Sequence, residues 1–590
     1  MHGSPEPADV EGSSGMLSLS SQADPCRHLP LTWCMPILTK LTASNTPIRL
    51  WSYDKGLNRE ERWLMPTPDG SHALDHIIVV LFENRSLDNV LGHLYGPEGG
   101  KNFEGVIGKN LSNPIPAWAE HGADRKVVPY TVATDMDSPN PDSGEEYFHT
   151  NTQLYNVIND QNRFKIGDAA TAPWNAPPPG ATPTMDGFVT DYISTFTGEI
   201  GRQPTYDEYA HIMTGYTPEQ LPVLNGIARD FGVFDHWFSE VPSQTFMNRS
   251  FWTAATSSGA VVNSPIRKWF TKNDAETIFE RLETHGKTWK VYVMEPMALS
   301  FTGIIHFPRL KERFATHFVP YAEFEKDIAA GTLPDFSLIE PNMMAGHGDY
   351  HPAMGRSFSD KVDIEVDSPS SALSGEAFLE RVFNAYRAAS SETGANVWNT
   401  ALLIGWDEPG GTYDHVPPGP VPPPDPSGPP GECGFRFDRS GYRVPAIIVS
   451  PWVEAGSVYN DEYRHTSLIA TLRKAWGLGE AFTQRDASAA TFDHVFSLDT
   501  PRDPNTWATI TALPVPTWTT DPEVIGKGLS TLGKGMGPAL IARAREMEVK
   551  LPAELNDPGS ALTPRLIVGF LRGVARHFFP LLAGDPKDLN

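Results

Sequence analysis

Two pairs of oxygen-bearing side chains stand directly behind short apolar runs: Glu83–Asn84 after Ile77–Phe82, and Asp407–Glu408 after Ala401–Trp406. Each run is uncharged and has the length of a strand buried on both faces, as in the middle of a parallel sheet. Open α/β sheets bind ligands at the carboxyl ends of their strands, where both pairs would project. Carboxylate and amide oxygens suit a hard or borderline cation. Two adjacent acids aimed at one place repel unless a cation or a shared proton holds them. The two pairs together therefore read as a metal site. Taken alone, Glu83–Asn84 with Ser86 also suits a helix N-terminus with polar caps. After the second pair, Gly410 and Gly411 force a sharp turn that exposes its carboxylates.

A third chemical group is a hydroxyl. The apolar run Phe231–Phe238 leads into SEVPSQTFMNR, which puts Thr245 in a strand-to-helix turn with Asn248 and Arg249 behind it. A hydroxyl there can act as a nucleophile, with helix N-terminal amides supporting an anionic group; the commoner role is a helix cap. Histidines supply the rest. Asp142–Asn156 carries His149 and Asn151 in what reads as a loop. A strand over Leu333–Glu340 precedes a loop with His347, Asp349 and His351. Two histidines and an aspartate so close suggest a site, although a zinc cluster would bring further His or Cys. His415 reads as structural.

The elements that must position these groups can be read from the pattern. Residues 1–70, rich in Ser, Pro and small polar residues, read as an irregular extension, and 93–185 as long loops with short helices. Residues 274–292 give a helix and then a strand, Trp289–Val293; Ser374–Ala388 is a helix, Arg443–Trp452 a strand and Tyr463–Trp476 a helix. The division predicted is 1–70 extension, 71–505 catalytic domain and 506–590 C-terminal extension, partly helical. Within the last, 538–550 reads as a helix. Residues 562–582 read as an amphipathic helix that either lies on a lipid surface or packs onto the domain.

The chain has 590 residues, 47 Lys and Arg against 72 Asp and Glu, and a formal charge of −25, which argues against a nucleic-acid partner. An anionic substrate is not excluded, because a metal and a few basic groups reverse the field within one cleft. Three cysteines, Cys26, Cys34 and Cys433, allow at most one disulfide, a Cys26–Cys34 bridge or none. No stretch is long and apolar enough to span a bilayer. The start, MHGSPEPADVEGSS, carries no export signal, which leaves an intracellular chain or a processed start as alternatives. Oligomeric state is not legible.

The stretches ENRSLDNVLG, MDGF, VPSQTFMNR, EPN with DYHP, WDEPGGTYDHVPP, GYRVPAIIVSPW and YRHTSL occur in order over roughly residues 72–500. Together they resemble the bacterial phospholipase C and acid phosphatase family of phosphoesterases, relatives of alkaline phosphatase. The resemblance implies an α/β fold, an alkaline-phosphatase-like α/β/α sandwich with long loop insertions, here with a C-terminal helical extension. It implies that Glu83, Asn84, Asp407 and Glu408 hold one divalent metal ion. It also makes Thr245 both nucleophile and metal contact, and sets His149 and His351 near the phosphoryl group as catalytic histidines. Asn248, Asn151 and His347 are read as substrate contacts, with His347 and Asp349 also orienting the histidines. The all-oxygen set favours Ca²⁺, with Mg²⁺, Mn²⁺ and Zn²⁺ as alternatives. The sequence departs from the family pattern at Leu87, Gln244, Met247 and Pro409, none of which removes a ligand. The expected activity is phospholipase C-type cleavage of phospholipid phosphodiesters through a phosphothreonine. The alternatives are an acid phosphatase-like phosphomonoesterase and a non-catalytic binding protein on the same fold.

Overall fold

The computed structural model describes residues 69–124, 126–294, 300–343, 347–352, 358–359, 362–363, 370–516 and 578–582. The chain divides into two units, Met1–Pro66 and Thr67–Asn590, and everything described lies in the second. Cys26, Cys34, the irregular extension up to residue 68 and the helix expected at 538–550 lie outside the described residues. Cys433 is a free thiol.

Eight strands form the central sheet: β1 His76–Phe82, β2 Gly232–Phe234, β3 Trp289–Val293, β4 Phe318–Pro320, β5 Phe336–Glu340, β6 Thr400–Trp406, β7 Ala446–Val449 and β8 Ser457–Tyr459. Their order is β8-β2-β7-β6-β1-β5-β3-β4. All pair in parallel except β7, which runs against both β6 and β2. The uncharged runs of β1 and β6 lie at the centre, and β6 is buried along its whole length. Burial without alternation means both faces of the sheet are covered, the mark of an α/β architecture. Of the helices, Ala372–Arg387 and Thr466–Trp476 begin and end close to the boundaries read from the sequence.

Register fixes what happens at the carboxyl edge. Phe82 of β1 stands opposite Trp406 of β6, and Val80 opposite Ile339 of β5. A parallel pair held in that register delivers Glu83 and Asp407 side by side. Glu340, the last residue of β5, emerges next to them.

The 93–185 segment is loop-rich as expected, with one exception: Tyr147–Tyr155 is a helix, eight of whose residues are buried. Polar residues such as Thr150, Asn151, Thr152 and Gln153 point inward to hydrogen-bond partners, which hides the helical period in the sequence. At the far end of the chain, Phe578 and Phe579 pack on Phe307, Phe314 and Phe318. The described end of the 562–582 stretch is thus seated on the domain. Among the described residues no helix is long and apolar enough to cross a membrane.

One buried histidine ties the layer behind the site together. His306 faces Thr253 Oγ1 at 2.7 Å and Asn273 Nδ2 at 3.4 Å, linking the helices Thr245–Ala254 and Phe301–Ile305. Burial pushes its pKa from 6.5 down to about 3. The unfolded chain therefore takes up a proton between those values that the folded chain refuses. The stability tied to neutral His306 is complete above pH 6.5 and drains as pH falls towards 3, by at most about 5 kcal/mol. Urea unfolding at pH 7 and pH 4 should show a shallower acid loss in His306→Gln than in the parent; equal losses would refute the assignment.

Candidate active site

Four loops meet at the carboxyl edge. The first carries Glu83 and Asn84, and Asn84 adopts a left-handed backbone with φ 60°. The second carries Asp407, Glu408 and the Gly410–Gly411 turn. A β-carbon on Gly410 would lie 2.5 Å from the Asn84 backbone oxygen and β-carbon, and φ there is +61°. Only glycine lets this turn close onto Asn84. Gly410 N–H also donates to Glu408 Oε2 at 2.9 Å, so the same turn aims the glutamate. Gly410→Ala should cost about 2–4 kcal/mol through strain and overlap, and a thermal melt showing no loss would contradict this packing.

The helix Thr245–Ala254 brings in the third group. Arg249, fully buried, donates from Nε to Asp407 Oδ2 at 2.9 Å and sets a terminal nitrogen 3.0 Å from Glu83 Oε1. It also lies 4.0 Å from Glu340. Thr245 precedes Arg249 by four residues and so shares its helix face. The threonine is 3% exposed and opens the helix, where backbone N–H groups point outward. Asn263 Oδ1 accepts the next N–H, from Phe246, at 3.0 Å and fixes the helix start from outside.

Electrostatically the edge is short of positive charge. Glu83, Asp407 and Glu408 stand against the one Arg249 guanidinium. Burial raises Asp407 to about 6 even with Arg249 beside it. Burial raises Glu408 well above the usual carboxylate range, with Glu145 and Asp407 adding to it. Glu83 is raised by burial against the pull of Arg249. Asn84 Oδ1 and Glu408 Oε1 are buried with no hydrogen-bond partner among the described residues. Orphaned hard oxygens in an acid-rich pocket are what a divalent cation would satisfy, so the expected ligand set fits a metal ion.

The fourth loop holds His351. Its Nε2 lies 3.0 Å from Asn84 Nδ2, and its ring centre 5.3 Å from that of His347. Asp349 accepts from His351 N–H, lies 3.3 Å from His347 Nδ1, and through its carbonyl takes the N–H of Glu83. His347 and Asp349 therefore brace the loop against the first acidic pair. Burial opposes the Asp349 charge, but the two histidines hold the carboxyl below its usual range.

Three sequence readings change. His149 belongs to the helix Tyr147–Tyr155 and turns to Asp191, 2.7 Å from its Nδ1, with Thr195 Oγ1 at 3.2 Å. Burial works against its charge, yet Asp191 outweighs that and holds the imidazole above its ordinary pKa. The residue that meets His351 is instead Glu145, 3.6 Å away and hydrogen-bonded by Asn84. Asn248 spends its oxygen on the N–H groups of Glu240 and Val241, and its nitrogen on three carbonyls of the same turn. It shapes the approach to Thr245 and has nothing left for a substrate. Asn151 bonds Arg439 at 2.7 Å and the Trp174 carbonyl at 3.0 Å.

Sequence reasoning missed Arg249, Glu145, Asp142 and His465. His465 Nε2–H donates to the Asp407 carbonyl at 2.6 Å while Nδ1 accepts from Trp237, locking the ring as a brace for the second pair. Arg249 was legible in part, as the last letter of FMNR one turn after Thr245. His415, read as structural, bonds Asp88, which Arg443 in turn ties to Asp414.

Comparison with known proteins bears on the family of the chain. The phosphoesterase family model matches residues 74–479. Non-specific phospholipase C6 of Arabidopsis thaliana is 32% identical over 73% of this chain and 75% of its own length. Phospholipase C B of Mycobacterium tuberculosis is 24% identical over 75% of this chain and 81% of its own. A solved alkaline phosphatase superfamily protein from Vibrio parahaemolyticus aligns at TM-score 0.28 and 12% identity, over 56% of this chain and 83% of that one. With a family model that spans most of its length, and a relative 32% identical over 73% of it, the chain belongs to the phosphoesterase family of phosphoric ester hydrolases.

Proposed function

We propose that the chain cleaves phospholipid phosphodiesters on the glycerol side, as a phospholipase C does, through a covalent step at Thr245. The observation that carries this reading is Arg249 bridging Asp407 and Glu83. Thr245 lies one turn before Arg249 on the same helix face. The names of the relatives, non-specific phospholipase C and phospholipase C, support the lipid substrate.

Glu83, Asn84, Asp407 and Glu408 would hold one divalent ion, Ca²⁺ by preference for an all-oxygen set. Bound there, such an ion neutralises phosphate oxygen charge and lowers the pKa of a nearby hydroxyl. Thr245 Oγ1 releases its proton to solvent and attacks phosphorus in line; the bond from phosphorus to the glycerol oxygen breaks and the diacylglycerol leaves. The head-group phosphate stays esterified to Thr245. Burial opposes the His351 charge, but Asp142 and Glu145 outweigh it and hold the imidazole well above its ordinary pKa, so the ring carries the proton that the departing oxygen takes. Water then attacks the same phosphorus, freeing the phosphorylated head group and restoring the hydroxyl. Arg249 keeps the two carboxylates from repelling, and His465 holds the Asp407 backbone still.

The test is to incubate purified protein with Ca²⁺, Mg²⁺, Mn²⁺ or Zn²⁺ and measure release from a choline phospholipid and from a phosphomonoester. Diacylglycerol release well above monoester turnover supports the reading. Monoester turnover alone would move the chain to the acid phosphatase side of the family.

A further inference from the structure

Beside the two acidic pairs lies a second set of donors that the mechanism uses only in part. Asp142, Glu145 and His351 each present one ligand atom, all within 4.8 Å of one another. His351 Nε2 is 3.8 Å from Asp142 Oδ2 and 3.6 Å from Glu145 Oε1. These separations are too long for hydrogen bonds. A tetrahedral ion at roughly 2.0–2.2 Å from its ligands spaces them about 3.4 Å apart, which is close to what is found.

Ring orientation points the same way. Pro352 offers only a carbonyl, 2.8 Å from His351 Nδ1, so Nδ1 carries the proton that makes this bond. In the neutral ring the Nε2 lone pair accepts from Asn84 Nδ2 at 3.0 Å on the side that faces Asp142 and Glu145, a bond that an ion on Nε2 would replace. Metal-binding histidines are oriented in this way, by a bond from the other nitrogen to a carbonyl or carboxylate.

A further observation asks for a cation: Asp142 Oδ1 is buried with no partner among the described residues. The comparable cluster of Asp88, Asp414 and His415 differs here. Arg443 sits between its two carboxylates at 2.9 and 3.0 Å and supplies the charge. Asp142 and Glu145 have no such guanidinium between them among the described residues; the cation that faces both is the one His351 itself can become.

We propose that Asp142, Glu145 and His351 form a separate site for a borderline transition-metal ion of the Zn²⁺ type, adjoining the group that takes Ca²⁺. One imidazole with two carboxylates selects such an ion over Ca²⁺, which prefers oxygen alone. An ion on Nε2 occupies the lone pair to which a transferable proton would attach. On the reading above, the filled site therefore switches off the proton donor and inhibits turnover.

The binding test needs no substrate, so it stands apart from that reading. Protein saturated with Ca²⁺ is titrated with Zn²⁺ by calorimetry, and the bound zinc is counted by elemental analysis. The expected result is one zinc per chain, weakened at least about 10-fold by Glu145→Gln and by Asp142→Asn and kept in Asp407→Asn. Cobalt in place of zinc should give visible d–d bands that both substitutions abolish. No zinc bound by the Ca²⁺-saturated wild type, or binding indifferent to both substitutions, overturns the site, and the wild-type titration alone decides if a variant folds poorly. Zinc that binds as expected yet leaves lipid turnover untouched would overturn the inhibitory role of the site and, with it, His351 as proton donor.

Discussion

Thr245→Ala is expected to lower turnover by at least about 10⁴-fold while leaving metal affinity within a few-fold of the parent. The hydroxyl is the attacking atom in the proposed reaction, and no neighbour on its helix face can replace it: one turn on stands Arg249, already engaged with Asp407 and Glu83. Metal binding should survive because Glu83, Asn84, Asp407 and Glu408 remain. Folding should survive too, since Asn263 and Asn248 secure the helix start independently of the Thr245 side chain. Steady-state kinetics on a choline phospholipid with a parallel Ca²⁺ titration checks both halves. Near-normal turnover would end the covalent route.

Asp407→Asn should act on the other half of the site. The amide keeps the shape but only one acceptor oxygen, whereas Arg249 Nε and the Glu408 N–H now bond different oxygens of the carboxylate at 2.9 and 2.7 Å, so one of the two bonds is lost. It also removes the charge. Ca²⁺ affinity should fall at least about 100-fold, with turnover falling alongside. Arg249 is left with Glu83 as its near anionic partner, so a stability loss of about 1–3 kcal/mol is expected. Calorimetric titration of Ca²⁺ and a thermal melt measure the two effects separately. Unchanged affinity would remove Asp407 from the ligand set.

How far the site could be read in advance depended on where each signal lay. Ile77–Phe82 and Ala401–Trp406 announce buried strands because an uncharged run of that length has few other uses. Residues just past the carboxyl end of such a strand stand at the functional edge of an α/β sheet, so Glu83, Asn84, Asp407 and Glu408 were legible together. That β1 and β6 are neighbours was not written locally; it emerges from the register pairing Phe82 with Trp406. The partner of His149 was not legible because Asp191 stands 42 positions away on another helix. Asn151 and Asn248 looked like ligands because amides near a nucleophile can be, whereas both hold other protein groups and Asn248 is used up in doing so. Asp142 and Glu145 escaped notice for the converse reason: nothing around DSGEE says that this segment closes over Asn84. Gly411 gives the physical cause, since a β-carbon there would fall 2.5 Å from the Gly144 carbonyl, and this contact seats the segment against the second acidic pair.

The central claim is that a threonine hydroxyl, set by its helix against two acidic pairs, takes the phosphorus of the substrate. Quenching the enzyme in acid within milliseconds of mixing with a choline phospholipid and Ca²⁺, then mapping peptides by mass spectrometry, tests this directly. The account predicts a phosphorylated head group on the peptide containing Thr245, formed and lost at rates that match turnover and absent from Thr245→Ala. The same modification on another residue, or rapid turnover with no modified peptide at any quench time, would contradict it.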